Sequence, residues 1–278
     1  MPEITAHHGL LADTKLHVDD TGGTGRPVVL IHGWPLSGEA WNHQVTAFEA
    51  AGHRVVTYDR RGFGRSDKPL TGYSYDSFAD DLQSVLEALD LREVTLVGFS
   101  MGGGEVARYL AKFGDERVHS VVFASAVPPY LLKTAGNPDG PLEAGEAAKM
   151  TAALTADQET FYDGFITTFY SVDDKLVVSE QERQAAIELT KQAFKPAALQ
   201  AMAAFASTDF RDDLQAVKVP TLVIHGDSDA TVPFEGSGAR TNEAVAGSEL
   251  HVVADAPHGV NVSHVDEWNR VVLEFLGR

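Results

Sequence analysis

Ser100, Asp229 and His258 have the side-chain types and the sequence surroundings that nucleophilic acyl transfer requires. A serine hydroxyl is a poor nucleophile until a base takes its proton, and that base must itself be oriented by a third group. Ser100 sits in Gly98-Phe99-Ser100-Met101-Gly102. An apolar β-type run, 94–97, precedes it, and a helical pattern follows in which Val106, Leu110 and Phe113 share one face. This predicts a tight strand-to-helix turn with the serine at its tip. Side chains at 98 or 102 would collide with the neighbouring strand and helix, and the turn forces the serine into a strained backbone conformation. The helix N-terminus points free N–H groups at charge developing beside Ser100.

The base and its orienting acid are found downstream. Ile224-His225-Gly226-Asp227-Ser228-Asp229 follows one β-type run, and Ala256-Pro257-His258-Gly259 follows the next. Both therefore stand at strand C-terminal ends, on the edge of a sheet that Ser100 also occupies. His258 is the expected base and Asp229 the expected orienting acid, in the order Ser, Asp, His. Asp227 is assigned to capping the turn through its own backbone, with Asp255 as a third candidate. After the strand that follows the elbow helix, Ala124-Ser125-Ala126 offers no carboxylate. The backbone N–H groups of Trp34, just past a strand ending at Ile31, and of Met101 are the expected oxyanion donors. Trp34, Phe99 and Met101 are expected to line an apolar acyl pocket.

His32 is read as holding the oxyanion loop, and His225 as ending a strand in a similar way. His7, His8, His17, His43, His53, His119, His251 and His264 lie at scattered positions. No pair has a metal-binding spacing, and no dinucleotide-binding glycine pattern follows a strand, so neither metal nor cofactor is expected.

Strands and helices must hold these groups in place. Residues 14–18, 27–31, 54–58, 94–97 and 118–124 read as strands, with helices over 38–51, along Phe78, Leu82, Val85, Leu86 and Leu89, and after Ser100. The alternation predicts an α/β fold with a mostly parallel sheet covered on both faces. It breaks between 128 and 213, where only helical segments are legible, and resumes with strands at 219–225 and 249–253 and a last helix carrying Val265, Trp268, Val272 and Phe275. Thr155-x-x-Gln158 and Ser179-x-x-Glu182 read as capping boxes, and 196–205 as a further helix. The expected organisation is a core of 1–127 and 214–278, with 128–213 a helical cap inserted between two core strands. Phe161 and Phe165 are the cap residues expected to reach the substrate.

Composition narrows the partners. The 278 residues are 44% apolar and 22% charged, with a formal net charge of -18. So acidic a surface repels nucleic acid phosphates and anionic lipid, so neither is an expected partner. The chain contains no cysteine, which excludes disulfides and a thiol nucleophile. The first residues show no basic segment leading into an apolar run, and no stretch is apolar enough to span a bilayer, so a cytoplasmic location is expected. The oligomeric state stays open, a homo-oligomer included.

Three stretches together resemble a known family: His32-Gly33-Trp34-Pro35-Leu36-Ser37-Gly38-Glu39-Ala40-Trp41, Tyr58-Asp59-Arg60-Arg61-Gly62-Phe63-Gly64-Arg65-Ser66, and Gly98-Phe99-Ser100-Met101-Gly102-Gly103-Gly104-Glu105. They are similar to the α/β-hydrolase family of cofactor-free (non-haem) haloperoxidases, or perhydrolases, whose near relatives are aryl esterases and γ-lactamases. The resemblance covers nearly the whole chain and is weakest in the helical insertion. It implies an α/β-hydrolase fold, a triad at Ser100, Asp229 and His258, and oxyanion donors at Trp34 and Met101. It also implies hydrolysis of small-molecule esters without a cofactor, and attack on the acyl-enzyme by water or by hydrogen peroxide. The peracid so formed oxidises halide away from the protein. A γ-lactamase or amidase with the same triad remains an alternative, as does a ligand-binding protein of this fold with an idle triad.

Overall fold

The short apolar runs become strands of one sheet, and their order carries every candidate group to the same edge. The structure, a computed structural model, describes residues 3–6 and 13–278. His7, His8 and part of the reading of the first residues lie outside the described residues. β1 (Glu3–Ala6) and β2 (Thr14–Asp20) pair antiparallel, and β3 (Pro27–Ile31) follows. A 3₁₀ turn at Gly38–Trp41 leads into α1 (Asn42–Ala50), and β4 (Arg54–Tyr58) and α2 (Tyr75–Ala88) come next. β5 (Val94–Phe99) feeds into α3 (Met101–Phe113), which returns to β6 (Val118–Ala124). The middle of the chain holds α4 (Ala144–Ala156), α5 (Gln158–Phe169), the short strands β7 (Ser171–Val172) and β8 (Lys175–Leu176), and α6 (Glu180–Thr190). Helices α7 (Lys195–Ser207) and α8 (Arg211–Leu214) complete it. Then follow β9 (Thr221–Gly226), α9 (Gly238–Ala244), β10 (Glu249–Val253), α10 (Val260–Ser263) and α11 (Val265–Leu276).

The main sheet has the order β1-β2-β4-β3-β5-β6-β9-β10, antiparallel at both sides of β2 and parallel from β4 to β10. Parallel strands buried on both faces read as unbroken apolar runs, and β3 shows how each face is covered. Val28 and Leu30 pack with Phe48 of α1 and Trp268 and Val272 of α11, whereas Val29 and Ile31 pack with Phe78 and Leu82 of α2 and Val106 of α3. Trp268 stacks on Phe48 with ring centroids 6.2 Å apart, which fixes α11 against α1. Because β5, β9 and β10 are parallel, Ser100, the loop after Gly226 and the loop after Val253 emerge at one edge.

Local differences from the sequence reading have simple causes. Thr155 lies inside α4, where its hydroxyl donates to the Thr151 carbonyl, and α5 starts instead at Asp157, whose carboxylate accepts the N–H groups of Glu159 and Thr160. Asp is the stronger N-cap because its carboxylate can take both N–H groups at once. The box at Ser179 and Glu182 forms as read. Phe113 is 36% exposed, so the buried stripe of α3 ends at Leu110. The β7–β8 hairpin escapes detection because two-residue strands carry no period; Asp173 and Asp174, both at positive φ, make its turn.

Candidate active site

Ser100 connects β5 to α3 with φ 54° and ψ -118°, a left-handed conformation that costs a non-glycine residue energy. The surrounding packing imposes it. A Cβ on Gly98 would lie 2.6 Å from the Gly102 carbonyl oxygen, and one on Gly102 would lie 2.6 Å from that of Ile31. The strand, the helix and the end of β3 therefore approach as closely as backbone allows. Ser100 N–H donates to Ala124 O at 2.9 Å, and its carbonyl accepts from Gly103 and Val127.

The structure brings together the serine, the histidine and the acid. His258 Nε2 lies 2.9 Å from Ser100 Oγ, and His258 Nδ1 lies 2.6 Å from Asp229 Oδ2. The other oxygen, Oδ1, accepts the N–H groups of Thr231 at 2.9 Å and Val232 at 2.7 Å. Burial alone would push the Asp229 carboxyl up, but the imidazoles of His258 and His225 outweigh it and hold this acid well below the usual carboxylate range. An ionised carboxylate accepts only, so His258 Nδ1 carries the proton and donates it. That leaves the Nε2 lone pair facing the Ser100 hydroxyl, which is the tautomer a general base needs. Phe99 and Phe169 wedge the His258 ring, with centroids at 5.1 and 4.7 Å. The Gly259 N–H donates to Phe169 O at 2.9 Å, so α5 holds the histidine loop from above.

Asp227 does not cap the turn through its backbone. It is exposed, and its carboxylate accepts the Ser228 hydroxyl. The turn is capped by Asp229 itself, because a carboxylate has two oxygens and can bind backbone with one and histidine with the other. Asp255 is exposed as well, at φ 54°.

His32 holds the loop that follows β3, and the partners fix its tautomer. Arg60 N–H donates to His32 Nε2 at 3.0 Å, so Nδ1 carries the proton and donates to Gly33 O at 2.8 Å. Burial first, and the Arg60 guanidinium second, lower its pKa to about 3, which keeps the ring neutral at physiological pH. Arg60 in turn donates to the His32 carbonyl at 3.0 Å and pairs at 2.8 Å with Glu105 on α3, both side chains fully buried. The loop is thus tied to the helix that begins beside the serine. Its approach is close: a Cβ on Gly33 would stand 3.1 Å from Ser100 Cβ. The segments carrying the Trp34 and Met101 N–H groups therefore meet at Ser100.

The Trp34 side chain points the other way, into the helical segment. Its indole N–H donates to Ala198 O of α7 at 3.0 Å, and Phe161, Tyr162, Phe165 and Phe205 surround it edge-on at centroid distances of 5.1 to 6.1 Å. An open cleft of about 860 Å³ lies over Ser100. Trp34, Phe161, Phe165 and Phe205 line one side, and Val127 and Val232 also border it. Phe99 and Met101 do not line it. Phe99 ends β5 on the α1–α11 face, behind His258, and Met101 is wholly buried towards α2, where its carbonyl accepts the Tyr75 hydroxyl.

Residues 26–265 match the model of the alpha/beta hydrolase fold family. The chain belongs to the α/β-hydrolase family. Within the family it is similar to a non-heme chloroperoxidase of Kitasatospora aureofaciens, with 41% identity over 92% of this chain and 94% of the relative. It is 36% identical to the bifunctional esterase/perhydrolase of Acinetobacter calcoaceticus, over 92% of this chain and 94% of that one. The crystal structure of a bromoperoxidase from Bacillus anthracis superposes with a TM-score of 0.95, at 47% identity over 100% of both chains. These relatives place this α/β-hydrolase in the non-haem haloperoxidase group, a group of hydrolase enzymes.

Some groups around the site of this α/β-hydrolase were not singled out by sequence. Glu105 and Arg60 could have been, since a carboxylate one turn after Met101, on the buried side of the elbow helix, demands a cation. Phe169 shares its helix with Phe161 and Phe165, but nothing in the spacing aims it at His258. His225 was read as a strand terminator, yet its Nε2 lies 3.1 Å from Asp229 Oδ2. Among the described residues no three His, Asp or Glu side chains are grouped to hold a metal ion, and no helix is long and apolar enough to cross a membrane.

Proposed function

We propose that this enzyme is a serine ester hydrolase for small acyl esters that passes its acyl group to water or to hydrogen peroxide. The observation that carries the reading is the unbroken chain Ser100 Oγ, His258, Asp229, opening onto an apolar cleft. The relatives named as esterase/perhydrolase and chloroperoxidase support both acyl acceptors. His258 Nε2 takes the Ser100 proton as Oγ attacks the ester carbonyl. Negative charge grows on the carbonyl oxygen, where the N–H groups of Trp34 and Met101 receive it; losing one such donor costs about 10²–10³ in rate. The C–O bond to the alcohol breaks, and His258 returns the proton to the leaving oxygen. Water or peroxide then attacks the acyl-enzyme, giving up a proton to His258, and Ser100 leaves with that proton restored. Water yields a carboxylic acid and peroxide yields a peracid, which oxidises bromide in solution to hypobromous acid. Asp229 stays ionised throughout and stabilises the imidazolium.

The helical segment 128–213 acts in this reading as a cap that sets acyl preference without contributing a reacting group. Phe161 and Phe165 stand in the cleft wall and meet Trp34 at 6.1 and 5.1 Å. The test is a series of p-nitrophenyl esters of rising acyl length, with and without peroxide, scored for nitrophenol release and for acyl-donor-dependent bromide oxidation. Short esters should turn over repeatedly, peroxide should add bromide oxidation, and Phe161→Ala and Phe165→Ala should move the optimum towards longer chains. Opening of a lactam without ester turnover would transfer the reading to an amidase. A single turnover per site would point to an idle triad, and variants that change only melting temperature would remove the cap from specificity.

A further inference from the structure

His225 ends β9 with its ring wholly enclosed. Its Nε2 lies 2.8 Å from the Val232 carbonyl oxygen and 3.1 Å from Asp229 Oδ2. Both neighbours are acceptors, so Nε2 carries the proton; it donates to the Val232 carbonyl, with Asp229 Oδ2 in ion-pair range beside it. Nδ1 is then a bare lone pair, buried and without a hydrogen-bond partner among the described residues, against Gly238, where a Cβ would come within 2.5 Å; the His225 and Phe234 ring centroids are 5.6 Å apart. Leaving that acceptor unsatisfied costs free energy that an apolar side chain of similar size would avoid. The oxygen that His225 approaches is the same Oδ2 that accepts His258 Nδ1–H at 2.6 Å. Asp229 thus offers one oxygen to the backbone and presents the other to two imidazoles.

We propose that His225 is a positioning residue for the acyl-transfer reaction: its Nε2–H pins Asp229 Oδ2 against His258 Nδ1 and draws part of the carboxylate charge away from that ring. The inference rests on the reading of Ser100, Asp229 and His258 as the reacting triad. A second donor on Oδ2 limits how strongly the carboxylate stabilises protonated His258. Without the donor, His258 holds its proton more tightly and the acid limb of the pH–rate profile moves up. Asp229, and His258 through it, are the titratable groups facing the ring among the described residues. β10 sets Val252 in register with His225, α9 presents Gly238, and Asp227 on the same loop is exposed.

The experiment is the pH dependence of kcat/KM for His225→Met, His225→Asn and His225→Gln. Methionine has no donor, and the asparagine amide is too short to reach Oδ2. Glutamine can place an N–H where Nε2 stands. In the Met and Asn variants the acid limb should rise by roughly half to one pH unit, and kcat should fall roughly two- to tenfold with KM little changed. Glutamine should restore both. The downfield proton resonance of His258 Nδ1–H, recorded without substrate, should shift in the Met and Asn variants and return in the Gln variant. If the Met variant does not fold, the Asn variant carries the same expectation. A limb and a resonance that stay in place in Met or Asn variants, whatever happens to melting temperature, would overturn the proposal. Failure of the triad reading looks different, because Asp229→Asn would then retain activity.

Discussion

Replacing Ser100 by alanine should reduce ester turnover by about 10⁴–10⁶-fold while the thermal melting curve stays close to that of the parent. The size of the effect follows from the division of labour at the site. His258 and Asp229 act on the substrate only through the serine oxygen, so once it is gone they have nothing to activate. What survives is binding in the cleft and the pull of the oxyanion donors on any water that attacks directly. The fold should be indifferent, because the 100 position is held by backbone hydrogen bonds to Ala124, Gly103 and Val127 rather than by the hydroxyl. Peroxide-dependent bromide oxidation should fall with ester hydrolysis, since both draw on the same acyl-enzyme. Loss of hydrolysis with full retention of acyl-donor-dependent oxidation would separate the two activities and refute a shared intermediate.

Asp229→Asn should cost about 10⁴ in kcat, and Asp227→Asn should change activity by less than about twofold. In the asparagine variant the amide oxygen can still accept the Thr231 and Val232 N–H groups now bound by Oδ1. The amide NH₂ then faces His258, which must turn Nδ1 into an acceptor and put the proton on Nε2. An Nε2–H pointed at Ser100 cannot take the serine proton, so the geometry persists and the base does not. Among the described residues the Asp227 carboxylate accepts the Ser228 hydroxyl alone, and the residue is exposed, so its charge is well solvated. Steady-state kinetics of the two variants on one short ester decide the matter. The opposite ranking would assign the orienting role to Asp227.

The contrast between these two acids shows what a linear sequence can carry. Strand positions were legible because runs such as 28–31 are apolar throughout, as expected of strands covered on both faces. The turn at Ser100 was legible because glycines at 98 and 102 answer a local collision, and local collisions leave local signatures. Asp229 and His258 were legible because parallel strands send their following loops to one edge. Which way a side chain turns once it gets there was not legible. Phe99 and Met101 are adjacent to the serine in sequence yet sit behind it, since a strand end and a helix start aim them at opposite faces. The split use of Asp229, and the approach of His225 to the same oxygen, depend on how a short loop folds back over itself. No period or composition encodes that. The helical segment was readable as helices, but which aromatic rings grip Trp34 is decided by packing between elements far apart in the chain.

An acyl group carried on Ser100 is an intermediate that can be caught and weighed. His258 serves both half-reactions, so the intermediate is caught in the parent enzyme: mixing it with p-nitrophenyl acetate and quenching in acid during turnover should leave an acetyl group on the protein. Intact mass spectrometry should find an added acetyl, fragment spectra should place it on Ser100, and Ser100→Ala treated in the same way should take up none. An acetyl group found on a different residue, or ester turnover by the parent enzyme with no acylation of Ser100, would contradict the account.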